Sequence, residues 1–258
     1  MIIEAEDYEH FISKEPNAIK YIKRFMMGYE FINNVKRYCL WLVNANPSEV
    51  VKMPLVMERV NKVREMRLAS SKQATQEKAD APMLFDEIKQ PAKDYVAIPV
   101  VSSENRRYIP IGYLSNEIIA GNKLFTIPNA TLYHFGILTS NVHNAWMRTV
   151  AGRLKSDYSY SNTIVYNNFP WPDATEAQQA EIEQLAQAVL DARAAYPDST
   201  LADMYGETSM LLHDKLLKAH RALDAAVMRL YGFPKGMDEA ACVAELMGRY
   251  VGLVEHIK

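Results

Sequence analysis

Gly152 to Pro172 reads GRLKSDYSYSNTIVYNNFPWP, and the reading of this stretch decides how the chain is divided. It opens on the basic and hydroxyl residues Arg153, Lys155 and Ser156. It runs through Tyr158, Ser159, Tyr160, Ser161 and Asn162, and stops on Phe169-Pro170-Trp171-Pro172. Arg, Lys, Ser and Asn supply the donors that contact phosphates and base edges, and tyrosine adds a broad apolar face with a polar tip. The same residues also suit a plain surface loop followed by a proline turn. The flanking sequence is what separates the two readings.

Downstream of Pro172 the texture is helical. Thr175 with Gln178 fits a capping box, and Ile182, Leu185 and Val189 line one face. A second helix carries Leu212, Leu216, Ala219, Leu223, Ala226 and Leu230, with Gly232 to stop it. A third carries Val243, Leu246, Tyr250, Val254 and Ile257. Upstream the periodicity alternates. Residues 16–28 (PNAIKYIKRFMMG) predict a short basic helix between Pro16 and Gly28. Val35 to Val43 predicts a strand. Val50 to Lys72 predicts a helix with Val56, Val60, Val63 and Arg67 on one side, made cationic by Arg59, Lys62, Arg64, Arg67 and Lys72. That face is either solvated or laid along phosphates. A polar connector follows at 73–92. Tyr95–Val101 and Tyr108–Leu114 predict strands joined by the loop Ser102–Arg107, with Pro99 and Pro110 at edges or bulges. Lys123–Ile127 predicts a strand, Thr131–Val150 a helix and Ser161–Tyr166 a last strand. The fold class expected is α+β: a mixed α/β domain with a short-stranded sheet over 1–172, then a helical bundle over 173–258.

The 258 residues are 49% hydrophobic and 23% charged, with a net charge of −2, so no global basicity announces a polyanion partner. The charge is uneven, however. Residues 1–172 hold 21 Lys+Arg against 17 Asp+Glu, whereas residues 173–258 hold 8 against 14. The first segment is the one that suits a polyanion. Cys39 and Cys242 are far apart in apolar surroundings, which predicts buried thiols in a reducing compartment. No apolar run has the length of a membrane span, and the acidic start MIIEAEDYEHF has no secretory pattern. The compartment expected is the cytoplasm, with no membrane partner.

No glycine-rich turn follows a strand and opens a helix, so a cofactor fold is unsupported. His213 and His220 lie two turns apart on one predicted helix, too far for a shared metal. Glu87-Ile88-Lys89 with Asp80 upstream has the residue types of a metal-dependent nuclease, but it falls in a connector without a preceding strand. No catalytic residue and no metal ligand is assigned.

Four segments together carry a family likeness: V-K-R-Y-C-L-W-L (Val35–Leu42), R-V-x-x-V-R-x-x-R (Arg59–Arg67), G-R-L-K-S-D-Y-x-Y-S (Gly152–Ser161) and Y-N-N-F-P-W-P (Tyr166–Pro172). This set resembles the C-terminal part of the single-chain Type IIG, or Type IIL, restriction–modification adenine-specific DNA methyltransferases. K-A-H-R-A-L-D-A-A-V-M-R-L-Y-G (Lys218–Gly232) looks like their terminal helical domain. The resemblance implies a target recognition domain that reads a short asymmetric site in double-stranded DNA. It also implies a methyltransferase core, using S-adenosylmethionine, on the same polypeptide. That core's N-P-P-[YF] signature is absent here, since Asn44-Ala45-Asn46-Pro47 and Asn168-Phe169-Pro170 do not match it. The chain is therefore expected to be a fragment, inactive alone, with no cofactor of its own.

The residues expected at DNA are Arg106, Arg107 and Tyr108 in the first loop, with Arg148, Arg153, Lys155, Ser156, Asp157, Ser159 and Ser161 around the opening motif. Arg153 and Lys155 suit guanine edges or phosphates, and Asp157 suits cytosine or the orientation of a neighbouring arginine. Two other readings remain open: a separate specificity subunit acting in trans, and a protein-interaction scaffold built on the acidic bundle. Phe169–Pro172 is expected to close the recognition domain against that bundle.

Overall fold

Residues 1–255 are described by a computed structural model, and near its start the helix expected at 16–28 gives way to a strand. Pro16–Tyr21 makes only a 3-10 turn. Ile22–Met26 then runs as a central strand, antiparallel to Arg37–Leu40 and parallel to Ile118–Ala120. Ile2–Glu4 completes the sheet on the far side of Arg37–Leu40. Ladder pairing on both sides overrides the helical preference of Lys23, Arg24 and Met26. Gly28 opens a short helix, Gly28–Asn33, rather than ending one.

That sheet belongs to the first of two compact units, made of residues 1–26, 35–90 and 116–121. Ile3, Phe11, Leu40, Leu42, Val50, Met53, Val56 and Val60 form its core, with Phe11 supplied by the helix Ala5–Lys14. The cationic helix runs over Pro54–Leu68, entered by Pro54 at its first turn. Its buried face is Val56, Val60 and Arg67. Arg67 donates to the carbonyls of Lys78 (2.8 Å), Ala81 (2.9 Å) and Leu84 (2.7 Å), and so ties the polar connector to the helix. Arg59 donates to the Ile2 carbonyl and lies over the Phe11 ring. Lys62 pairs with Glu58 one turn away. Three of the five cations therefore have partners in their own unit, and the solvated-face reading describes this helix better than a phosphate track. Glu87 and Lys89 pair with each other in the exposed connector.

The second unit comprises residues 27–34, 91–115 and 122–258. Tyr95–Pro99 is buried along its whole length, between Gly112–Leu114 and Leu124–Ile127, in antiparallel register (Val96 opposite Tyr113 and Ile127). The second expected strand starts late because Pro110 cannot donate to a ladder. Residues 109–111 instead close a tight turn, in which the Ile111 N–H donates to the Ile109 carbonyl. Beyond Pro99 the chain moves to another small sheet, Val101–Ser102 beside Asp157–Ser159 beside Gly152–Leu154. Val100 joins the two sheets. Its N–H donates to the Lys123 carbonyl and its carbonyl accepts from the Tyr160 N–H.

The single helix expected over 131–150 is two, Leu132–Thr139 and Asn141–Val150. Ser140 breaks it in extended conformation and caps the second helix with its hydroxyl. The strand expected at Ser161–Tyr166 is a π-turn over Asn162–Tyr166, capped by Ser161. The long helices Glu176–Ala194, Asp214–Leu230 and Glu239–Glu255 follow. Thr175 and Gln178 form the expected capping box, and Gly232 ends the second helix at a φ of 71°. Ile257, assigned to the last apolar face, lies outside the described residues.

One core joins the strand residues Val96 and Ile98, the mid-chain helix residues Phe135, Leu138, Val142 and Trp146, and the later Ile182, Val189, Leu216, Leu223, Val227 and Leu246. Gly136 permits a close crossing of its helix with Glu176–Ala194: a Cβ there would lie 2.7 Å from the Ile182 side chain. Phe169 is buried against His143, Trp146, Trp171 and Tyr231, and the Tyr231 hydroxyl donates to the Pro170 carbonyl at 2.9 Å. The aromatic–proline stop is therefore a core seam. Both cysteines are buried with free thiols, and burial pushes Cys39 up to about 12 and Cys242 up to about 11. Among the described residues, no helix is long and apolar enough to cross a membrane.

Candidate nucleic-acid interface

Gly152–Leu154 and Asp157–Ser159 form a two-stranded ribbon with Lys155 and Ser156 as its two-residue tip. The whole first strand and the tip are exposed. Lys155 takes a left-handed φ of 57°, a conformation that glycine or asparagine adopts more readily than lysine. Side chains alternate across a strand, so Arg153 and Tyr158, directly opposite, share one face. Their contact is close, with the guanidinium carbon 3.8 Å from the ring centroid. Arg153 Nη1 also donates to the Ser156 carbonyl at 2.6 Å and pairs with Glu104 at 3.3 Å. Arg153 therefore braces the ribbon. Asp157 and Ser159 lie on the other face, half-buried, beside the exposed Leu154.

The loop Ser103–Arg107 rises next to the ribbon from Val101–Ser102, which pairs with Ser159 and Tyr158. The Glu104 N–H reaches the Asp157 carboxylate at 3.4 Å. Arg106 is half-buried. Its Nε is shut off from water and has no hydrogen-bond partner, and burial pulls its pKa down against the opposing charge of Asp157. Arg107 is exposed, with its guanidinium 5.5 Å from the Tyr108 ring. Lys155, Ser156, Asp157, Ser159, Arg106 and Arg107 are thus brought to one ribbon and its adjoining loop.

The expectation for Tyr108 is corrected. Its side chain is 0% exposed and its hydroxyl donates to Asp224 Oδ2 at 2.6 Å, so it is an anchor and not a contact surface. Arg148 is already engaged, forked onto both Glu239 oxygens (2.8 and 2.7 Å) and donating to the Arg107 carbonyl at 2.9 Å. The Ser161 hydroxyl caps the π-turn and meets Thr163 at 2.9 Å.

Beneath the loop lies a polar network that the sequence reading missed. Asp224 Oδ1 accepts the Asn141 N–H at 2.8 Å, and burial pushes its carboxyl up to about 6. His220, one turn earlier, stacks on Tyr108 at 4.2 Å between centroids. Burial first, and then the charges of Arg193 and Arg107, hold it neutral well below the usual imidazole range. Arg193 donates twice to the Tyr205 hydroxyl (2.8 and 2.6 Å), which leaves that hydroxyl's proton for His220 Nε2 at 2.7 Å. The signal was present in Lys218–Gly232: His220 and Asp224 are polar residues four apart, on the same side as Leu216, Leu223 and Val227. Such residues on a buried stripe need partners.

Residues 1–173 match the family described as "MmeI, target recognition domain", and residues 174–258 match "MmeI, C-terminal domain". DNA methyltransferase A of Bacillus subtilis (strain 168) is 37% identical over 225 residues, which is 87% of this chain and 25% of that protein. The solved structure of the Type IIL restriction–modification enzyme MmeI in complex with DNA superimposes with a TM-score of 0.93 at 46% identity. That match covers 98% of this chain and 34% of that one. The chain thus spans about a quarter to a third of the relatives it matches. On these matches, the chain belongs to the MmeI family, as its target recognition domain followed by its C-terminal domain.

Proposed function

We propose that this chain binds double-stranded DNA and reads a short sequence for an adenine-specific methyltransferase core carried on the same polypeptide. The observation that carries this reading is the ribbon Gly152–Ser159, whose first strand and tip are exposed, with Arg106 Nε unpartnered beside it. The major groove of B-DNA admits a two-stranded ribbon, and every base pair is distinguishable there. Lys155 and Ser156 at the tip, with Asp157 and Ser159 on one face, provide donors and acceptors of both kinds. Arg106 and Arg107 add cations for guanine edges or phosphates.

The S-adenosylmethionine site belongs, in this reading, to the core and not to these residues. Among the described residues, Gly28 is the one glycine at a strand-to-helix junction, and no glycine-rich turn surrounds it. No methyl-transfer step is assigned to any of these residues. The core on the same polypeptide would supply that chemistry after extruding the adenine from the stack.

The test is a fluorescence titration of the intact polypeptide against duplexes that contain, or lack, the site it methylates. Arg106→Ala is expected to weaken site-specific binding by about tenfold, the scale of one good base or phosphate contact. Arg153→Ala should also weaken it, through loss of the brace to Glu104, Ser156 and Tyr158. Unchanged affinity and unchanged methylated sites in both variants would overturn the assignment.

A further inference from the structure

Arg107, Tyr108 and Ile109 are each held by a different side chain. The Arg107 carbonyl accepts from Arg148 at 2.9 Å, the Tyr108 hydroxyl donates to Asp224 at 2.6 Å, and the Ile109 N–H donates to Asn144 Oδ1 at 2.8 Å. Arg148 is itself fixed by both oxygens of Glu239. By contrast, the loop just upstream has little of its own, since the Arg106 N–H reaches the Ser103 carbonyl only at 3.2 Å. The course of Arg106 and Arg107 is therefore set from two sides: by the ribbon, through the pairing of Val101–Ser102 with Ser159 and Tyr158 and the contacts of Glu104 with Asp157 and Arg153, and by the triple hold at 107–109.

Two of the groups that make the second hold, Asp224 and Glu239, lie in the C-terminal domain. A surface ion pair alone contributes little. A fork that also holds a loop carbonyl fixes direction, and direction is what discrimination between bases requires. We infer that Asp224 and Glu239 are positioning residues for DNA sequence discrimination. Through Tyr108 and Arg148 they hold the arginine loop Ser103–Arg107 in its reading position, and so make the C-terminal domain a working part of specificity. This inference rests on the DNA-reading assignment above.

The experiment uses the intact polypeptide and two duplexes: one with the site the wild type methylates, and one with a single base pair of that site changed. Tyr108→Phe removes only the hydroxyl on Asp224. Glu239→Gln, at a half-exposed side chain, removes the charge that fixes Arg148 without disturbing the core. Each is expected to lower the ratio of the two affinities by about five- to tenfold, with binding to the mismatched duplex nearly unchanged. The thermal midpoint should hold for Glu239→Gln and fall by a few degrees for Tyr108→Phe, which takes a buried donor from Asp224. Tyr196→Phe, which removes a hydroxyl bonded to Asp214 at the start of the helix that carries Asp224, should leave the ratio intact. If both reading variants keep the wild-type ratio, or lose affinity for both duplexes equally, the positioning role is wrong while DNA reading stands. If the wild type itself shows no preference between the duplexes, the DNA reading fails and the inference falls with it.

Discussion

Arg67 in the first unit and Arg106 in the second are the same residue type in opposite states. Arg67 lies on the buried face of a helix and spends its guanidinium on three carbonyls of the connector behind it. Arg106 is half-buried, has an unsatisfied Nε and meets only the field of Asp157. A buried cation that gives its donors to the chain's own carbonyls is part of the fold. One left without partners costs free energy in the folded state, and it is retained where a ligand completes it. In sequence both stood in basic stretches, and charge counting could not tell them apart.

The sharpest way to break this contrast is to remove each side chain. Arg67→Ala leaves three connector carbonyls without their donor and should lower stability by about 3–4 kcal/mol. Arg106→Ala removes a buried donor that has no acceptor, and should leave stability unchanged or raise it by about 1 kcal/mol. Urea unfolding of both variants checks this. Equal losses would mean that Arg106 is a fold residue and the contrast is false.

A second contrast is electrostatic and lies within the second unit. Asp224 is a buried carboxyl raised from 3.8 to about 6, whereas Asp157 at the ribbon is half-exposed. Folded Asp224 holds its proton more tightly than unfolded Asp224. Its contribution is therefore complete below about pH 4 and is lost as pH rises through about 6. The gap amounts to about 3 kcal/mol at 1.36 kcal/mol per unit. Wild-type stability relative to Asp224→Asn should fall by about that amount between pH 4 and pH 7. Denaturant midpoints across that range would settle it, and a flat Asp224 difference would place that carboxyl in a wetter site.

These contrasts also show what was legible in the sequence. The long C-terminal helices, the capping box at Thr175 and the cationic helix were read from periodicity, which is local. The strand Ile22–Met26 was read as a helix because its residues favour one locally, and only the partner strands Arg37–Leu40 and Ile118–Ala120 reverse that preference. The ribbon was half legible. GRLKSDYSYS marks the segment that forms the ribbon, but its composition points to a strand after Ser161 instead of at Asp157–Ser159, where the turn at Lys155 sets the register. Tyr108 was misread because its environment comes from Asp224 and His220, more than a hundred residues along the chain. Long-range burial of this kind leaves no trace in a window of ten residues.

Lys155 offers the smallest and most discriminating test. Its φ of 57° is uphill for a lysine, by about 1–2 kcal/mol relative to ordinary backbone. Glycine would relieve that strain and give back about 0.5–1 kcal/mol through the freer unfolded chain. Lys155→Gly should therefore leave the protein more stable by about 0.5–1 kcal/mol. A fold chosen for stability alone would have glycine at this tip. Lysine there makes sense if its side chain meets something outside the molecule. Lys155→Gly should then bind cognate DNA more weakly while melting higher, the reverse of the Arg67→Ala outcome, in which stability falls for reasons unrelated to reading. Lys155→Asn, which tolerates the left-handed region and lacks the charge, should bind like the glycine variant. If both variants bind as tightly as wild type, the tip is bystander surface, and the reading function moves to Arg106, Asp157 and Ser159.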